Sequence, residues 1–131
     1  MTLLALDLGK KRVGVAISHG ILAEAFLTLD FDEENKPNFF SRLEKIIEEQ
    51  KVDKVILGIP LGRDMQKTDQ THWTEGMMQE IRKELSIPVE SVDEAYSTVA
   101  AEEKVNKVDG KVGIDAKAAK VILEQFLNEE C

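Results

Sequence analysis

Cysteine is almost missing from this chain: the single one, Cys131, is the final residue, which excludes an intrachain disulfide and a cysteine zinc site and fits a reducing compartment. Histidine is nearly as scarce. His19 and His72 stand alone and are read as surface or loop residues, so no histidine cluster is available to hold a metal. No stretch approaches the ~18 apolar residues of a membrane span. Met1 to Lys10 also lacks a basic start followed by a long apolar core, so a soluble, cytoplasmic protein with no membrane partner is expected. Bases are outnumbered, 17 Lys and Arg against 25 Asp and Glu, and the net charge of −8 argues, taken alone, against a polyanionic partner. Aromatics make up only 5%, and Trp73 falls in a stripe with Met77 and Ile81 that reads as core rather than as a base-stacking platform.

What remains is 131 residues, 43% of them hydrophobic, without an internal repeat. That composition predicts one compact domain over residues 1–131 with a sizeable core. Charge is unevenly spread along it. Residues 30–50 hold seven acids against three bases, whereas residues 104–120 hold five lysines against two aspartates, and Lys10, Lys11 and Arg12 form a second basic cluster. The two basic segments are either ordinary solvated faces or a patch that meets phosphate.

The stretch from Leu3 to Ser18 organises the rest. Leu3, Leu4, Ala5, Leu6 and Leu8 make a nearly continuous apolar run suited to a central strand covered on both faces. Asp7 interrupts its far end, where a charge is costly unless paired, solvated or bound to a metal. Val13, Val15 and Ile17 alternate with Gly14, Ala16 and Ser18, so a hairpin turning through Gly9 to Arg12 carries an acid near its tip.

Further along, residues 25, 27, 29 and 31 place a third strand over Ala23–Phe31, with Phe26 on the other side. A helix follows over Pro37–Lys51, then a buried strand over Val52–Ile59 stopped by Pro60. Trp73, Met77, Ile81 and Leu85 predict a second helix, and Ile87–Val92 a last strand running into Asp93 and Glu94. Ser97 or Thr98 caps a helix over Val99–Lys107, Asp109–Gly113 is a loop, and Asp115–Asn128 forms the final helix. Antiparallel strands first and helical crossovers afterwards predict an α/β fold, a mixed sheet with helices on both faces.

Three acidic positions lie where elements end: Asp7, the Asp93-Glu94 pair and Asp115. The carboxyl ends of strands form the usual binding crevice of open α/β sheets. Carboxylates gathered there repel unless they share protons or a cation, and an oxygen-only donor set points to Mg²⁺ or Mn²⁺. Two of them have a plainer reading as well, while Asp7, among apolar neighbours with only Lys10 to Arg12 to neutralise it, is harder to dismiss. Asp115 sits where a helix N-cap would, and Asp93-Glu94 where a strand turns into a helix.

Four segments carry a family resemblance in the right order: ALDLGKKRVGVAIS, VILGIPL with Asp64 following, VDEAYST, and KVGIDAKAAKVIL. Together they resemble the YqgF/RuvX family, relatives of the RuvC Holliday-junction resolvase with an RNase H-like fold. The resemblance implies a five-stranded mixed sheet of order 3-2-1-4-5, strand 2 antiparallel, and a metal-dependent nuclease site. It maps the catalytic acids onto Asp7, Glu94 and Asp115, with Asp93 joining them as a metal ligand for Mg²⁺ or Mn²⁺. Lys10, Lys11, Arg12, Arg63, Lys111 and Lys117 are the expected nucleic-acid contacts.

The substrate it implies is the precursor of small-subunit ribosomal RNA or a branched DNA junction, and the motifs do not separate the two. Family members usually carry Asp-Glu-Arg where this chain has Asp93-Glu94-Ala95, Gly-Thr-Lys-Arg where it has Gly9-Lys10-Lys11-Arg12, Asn at Gly62 and Gly at Met65. The acids survive, and the changes touch substrate grip. A nucleic-acid-binding module without catalysis is one rival reading. An ATP-dependent phosphotransferase is another, because Asp7-x-Gly9 with Gly14 also resembles the phosphate hairpin of the actin, sugar-kinase and Hsp70 group.

Overall fold

The computed structural model describes residues 1–95 and 113–130. The helix expected over 99–107, its cap at Ser97 or Thr98, and Lys111 lie outside the described residues. The elements are β1 (Leu3–Leu8), β2 (Arg12–Ser18), β3 (Ala23–Asp30), α1 (Lys36–Gln50), β4 (Lys54–Leu61), α2 (Asp69–Glu84), β5 (Val89–Ala95) and α3 (Gly113–Glu130). One five-stranded sheet runs in the order β3-β2-β1-β4-β5, with β2 antiparallel to both its neighbours and β1, β4 and β5 mutually parallel. This is the order and the antiparallel second strand that the resemblance implied.

Alternation along the strands sorts the core into two clusters, one on each face. Leu4, Leu6 and Leu8 of β1 join Val13, Val15, Val55 and Leu57 beneath Phe39, Leu43 and Ile46 of α1 and Met77 and Ile81 of α2. On the opposite face Leu3, Ala5, Ala16, Ile56 and Val92 pack against Ala119, Ile122, Leu123 and Phe126 of α3. Trp73 belongs to the first cluster, its ring 6.0 Å from that of Phe31 and edge-on to it, as expected for a core stripe.

The helix starts follow local chemistry. Pro37 sits in the first turn of α1, where its missing N–H costs nothing. Thr68 and Thr71 form a reciprocal capping box at the start of α2.

Four expectations change. Pro60 does not stop β4, which runs on to Leu61, and the Pro60 carbonyl accepts from the Thr71 hydroxyl of α2. β5 starts later than expected, at Val89, and carries Asp93 and Glu94 inside the strand. β3 is bulged: Val15 pairs with Leu27 but Ala16 pairs with Ala25, so Phe26 is the extra residue. The bulge sends Phe26 and Leu27 to the same cluster and ends the expected run of one-sided odd positions. Finally, α3 begins at Gly113, which puts Asp115 inside the first turn rather than in a cap ahead of it.

Candidate active site

Asp7 follows Leu3 and Ala5 on the α3 face of β1, near the strand's carboxyl end, and is half-buried. Its cross-strand partner is Gly14 of β2. A β-carbon at Gly14 would stand 1.7 Å from the Asp115 carbonyl oxygen and 2.8 Å from the Ala116 nitrogen. Only glycine lets the first turn of α3 lie on the sheet here. Ala16, Ala116 and Ala119, all fully buried, keep the approach close along the seam. The same contact brings the acidic first turn of α3 over the Asp7–Gly14 pair, where the positive end of the helix dipole favours carboxylates.

On the other flank of β1, Leu6 pairs with Leu57, and the next residue of β4 is Gly58. A β-carbon at Gly58 would stand 3.0 Å from Glu94 Oε2 and 2.5 Å from Ile122 Cδ1. Asp7 and Glu94 belong to strands two places apart, ~10 Å at the backbone. Glu94 leans over the bare Gly58 and closes part of that gap. It shares its face with Val92, the α3 face, whereas Asp93 points the other way and is exposed, its carbonyl accepting from the Gln125 carboxamide. The structure thus gathers Asp7, Glu94 and Asp115 at one rim and leaves the Asp93 side chain on the opposite face.

Arg12, the first residue of β2, donates from Nε to Asp115 Oδ2 at 3.0 Å, with side chains 66% and 33% exposed. Such an exposed pair is worth well under ~1 kcal/mol and exchanges readily. Lys11 is exposed in the hairpin turn, and its carbonyl accepts from Phe31 N–H at 2.9 Å. Lys10 lies with Nζ 5.9 Å from the centroid of Trp73, the ring that packs with the α1/α2 cluster, away from the acids. Lys117 is half-buried on α3.

Arg63 opens a tight turn after β4, held by Gly62 N–H to the Gln66 carbonyl at 2.7 Å. Within that turn Asp64 and Met65 both have left-handed backbones, with φ of 56° and 60°. A left-handed angle at Met65 is one that glycine adopts without strain.

Gly14 and Gly58 were not read from the sequence as site residues. Each appears there as one small residue in an apolar strand, and only the neighbour that fills its missing side chain reveals its role.

The oxygen-only donor set suits a hard divalent cation, and the missing side chain at Gly58 leaves room for the Ile122 side chain, with Glu94 Oε2 beside it. Among the described residues no three acids already encircle an ion-sized space, and Asp115 is turned to Arg12. The chemistry of the donors suits such an ion, and one oxygen of Asp115, Oδ2, is engaged by Arg12.

The sheet order, the hairpin acid and the closing helix define an RNase H-like fold. Two solved structures of RuvC from Thermus thermophilus share it: one of RuvC at a TM-score of 0.60 and 11% identity, over 99% of this chain and 96% of that one; and one of RuvC in complex with a Holliday junction substrate at 0.58 and 12%, over 99% and 95%. The chain belongs to the RuvX family, whose model, described as "Holliday junction resolvase", matches residues 1–129. Among curated relatives, a protein of Maridesulfovibrio salexigens is 33% identical over 97% of this chain and 98% of its own length. One of Paraburkholderia phymatum is 32% identical over 97% and 85%. Both are named "Putative pre-16S rRNA nuclease".

Proposed function

We propose that this chain, acting as a single domain in the cytoplasm, is a divalent-metal-dependent endonuclease that cuts phosphodiester bonds in structured RNA, at the 5′ end of the small-subunit ribosomal RNA precursor. The observation that supports the reading is the placement of Asp7, opposite Gly14 on which the Asp115 backbone lies, at the same end of the sheet as Glu94 beside Gly58. The relatives' names favour the ribosomal precursor, and the family description favours resolution of a four-way DNA junction as the second reading.

Asp7 and Glu94, fixed on strands, and Asp115, fixed on the first turn of α3, would hold Mg²⁺ or Mn²⁺. When bound, the ion supplies Lewis-acid charge at the scissile phosphate and lowers the pKa of water. Arg12 has two competing partners, the Asp115 carboxylate and a substrate phosphate whose oxygens match its planar fork. Arrival of a phosphate draws Arg12 away and frees Asp115 for the cation, which couples substrate binding to assembly of the site. Lys11, Arg63, Lys111 and Lys117 add backbone contacts, while Lys10 must first leave the Trp73 ring.

The test is a cleavage panel with Mn²⁺ and Mg²⁺ on precursor ribosomal RNA, four-way junctions and single strands, using wild type and Asp7→Asn. Metal-dependent cleavage of the precursor that is lost in Asp7→Asn is expected. Tight binding without cleavage of any substrate would instead define a non-catalytic binding module, and preference for junctions would select the second reading.

A further inference from the structure

On the face of the sheet opposite α3, a groove runs between α1 and the C-terminal part of α2. Two adjoining hollows of about 390 and 210 Å³ make it up, sharing Glu44 and Glu84 in their walls. It follows α1 from Pro37 to Glu48, ~17 Å at 1.5 Å per residue. Apolar side chains make up part of the floor: the buried Phe40 in one hollow, and in the other Ile47, Leu85 and Ile87, only partly covered by the core cluster beneath them.

The rim is acidic. Glu44, Glu48, Glu80 and Glu84 line it, and the one cation lining it among the described residues, Lys36, is held by both carboxylate oxygens of Glu80 at 3.1 and 3.0 Å. Glu44, Glu48 and Glu84 have no ion pair among the described residues. Carboxylates set around aliphatic surface repel nucleic acid and complement a segment that carries cations and apolar side chains together.

We propose that this groove docks a lysine- or arginine-rich protein segment with interspersed aliphatic residues. The aliphatic side chains settle on Ile47, Leu85 and Ile87 while the cations meet Glu44, Glu48 and Glu84. The acids of the candidate active site lie on the α3 face, so a segment held here leaves that rim open. Binding of nucleic acid at one face and of a basic protein segment at the other is then simultaneous.

The probe is a fluorescent peptide repeating Lys-Leu-Lys, titrated by anisotropy at low salt against the full chain. A counterpart with Leu replaced by Ser, and another with Lys replaced by Glu, accompany it. The Lys-Leu-Lys peptide should bind, the Ser peptide several-fold more weakly, and the Glu peptide not at all. Glu44→Lys/Glu84→Lys should weaken binding about tenfold or more, whereas the same charge change at two remote exposed acids, Glu24→Lys/Glu124→Lys, should leave most of it intact. Far-UV circular dichroism checks that each variant folds, and Glu44→Gln/Glu84→Gln replaces the reversal if that one does not. Equal losses in the groove and remote variants would reduce the binding to net charge and overturn the proposal. So would undiminished binding by the groove variant, or equal affinity of the Ser and Leu peptides.

Discussion

Replacing Gly14 by Ala tests the contact on which the site is built. At an ordinary strand position this change stabilises a protein by ~0.4–1 kcal/mol through the unfolded chain. At Gly14 the new methyl would lie 1.7 Å from the Asp115 carbonyl oxygen, 2.1 Å from its carbon and 2.8 Å from Ala116 N, where about 3.0 Å is the floor for real β-carbons. Backbone, not a flexible side-chain end, is in the way, so the first turn of α3 must retreat by about 1.3 Å. Overpacking of this kind costs ~1–3 kcal/mol, and a helix backbone that cannot rotate aside belongs at the upper end. For a domain of this size a loss of ~3 kcal/mol lowers Tm by ~10 °C. The displaced turn carries Asp115, so cleavage should fall further than stability does, by ~100-fold if misplacement by about 1 Å has its usual effect. Thermal melts followed at 222 nm, with cleavage assayed well below Tm, separate the two effects. A Gly14→Ala variant that melts within about 2 °C of wild type would refute the packing argument, because that shift corresponds to well under ~1 kcal/mol.

Other perturbations probe the remaining parts. Asp7→Asn should abolish the Tm increase produced by Mg²⁺, which for wild type is worth ~1.4 kcal/mol at ten times Kd; a variant that keeps the full increase in a metal titration shows that Asp7 is no ligand. Asp115→Asn removes an exposed ion pair and a favourable helix-dipole contact, so the melt should drop by only ~0.5 kcal/mol while metal-dependent cleavage falls by orders of magnitude; unchanged turnover would leave Asp115 a purely structural role. Met65→Gly should raise stability by ~0.5–1 kcal/mol in denaturant melts, because the side chain is 53% exposed and left-handed strain of ~1–2 kcal/mol exceeds the entropy cost of glycine; Met65→Ala, which keeps the β-carbon, should give no such gain.

Much of the fold was legible because strand and helix periods are written locally. The apolar run through Leu8, the alternation after Gly9 and the stripe through Trp73, Met77 and Ile81 each specify an element without reference to the rest of the chain. Asp7 was legible for a related reason: a carboxylate inside an apolar strand is expensive, so its presence demands a use. The sheet order came from likeness to relatives, since the hydrophobic pattern alone states which face of a strand is buried and not which strand lies beside it.

Other features depend on neighbours distant in sequence. Periodicity could not separate Asp93 from Glu94 until β5 was seen to run on to Ala95, after which alternation sent one to each face. Pro60 looked like a terminator because its missing N–H is a local fact, while the Thr71 hydroxyl that meets its carbonyl comes from the next helix. The bulge at Phe26 is a mismatch between two strands and belongs to neither sequence by itself. Gly14 and Gly58 make the same point at the site. The chain supplies two residues without side chains, and only tertiary packing decides that the Asp115 backbone fills one space and the Ile122 side chain, with Glu94 beside it, the other. Local sequence sets which groups exist and which way they face, whereas the position of Asp115 beside the Asp7–Gly14 pair rests on the distance of closest approach between a helix and a sheet, which is fixed by the smallest residues at their contact.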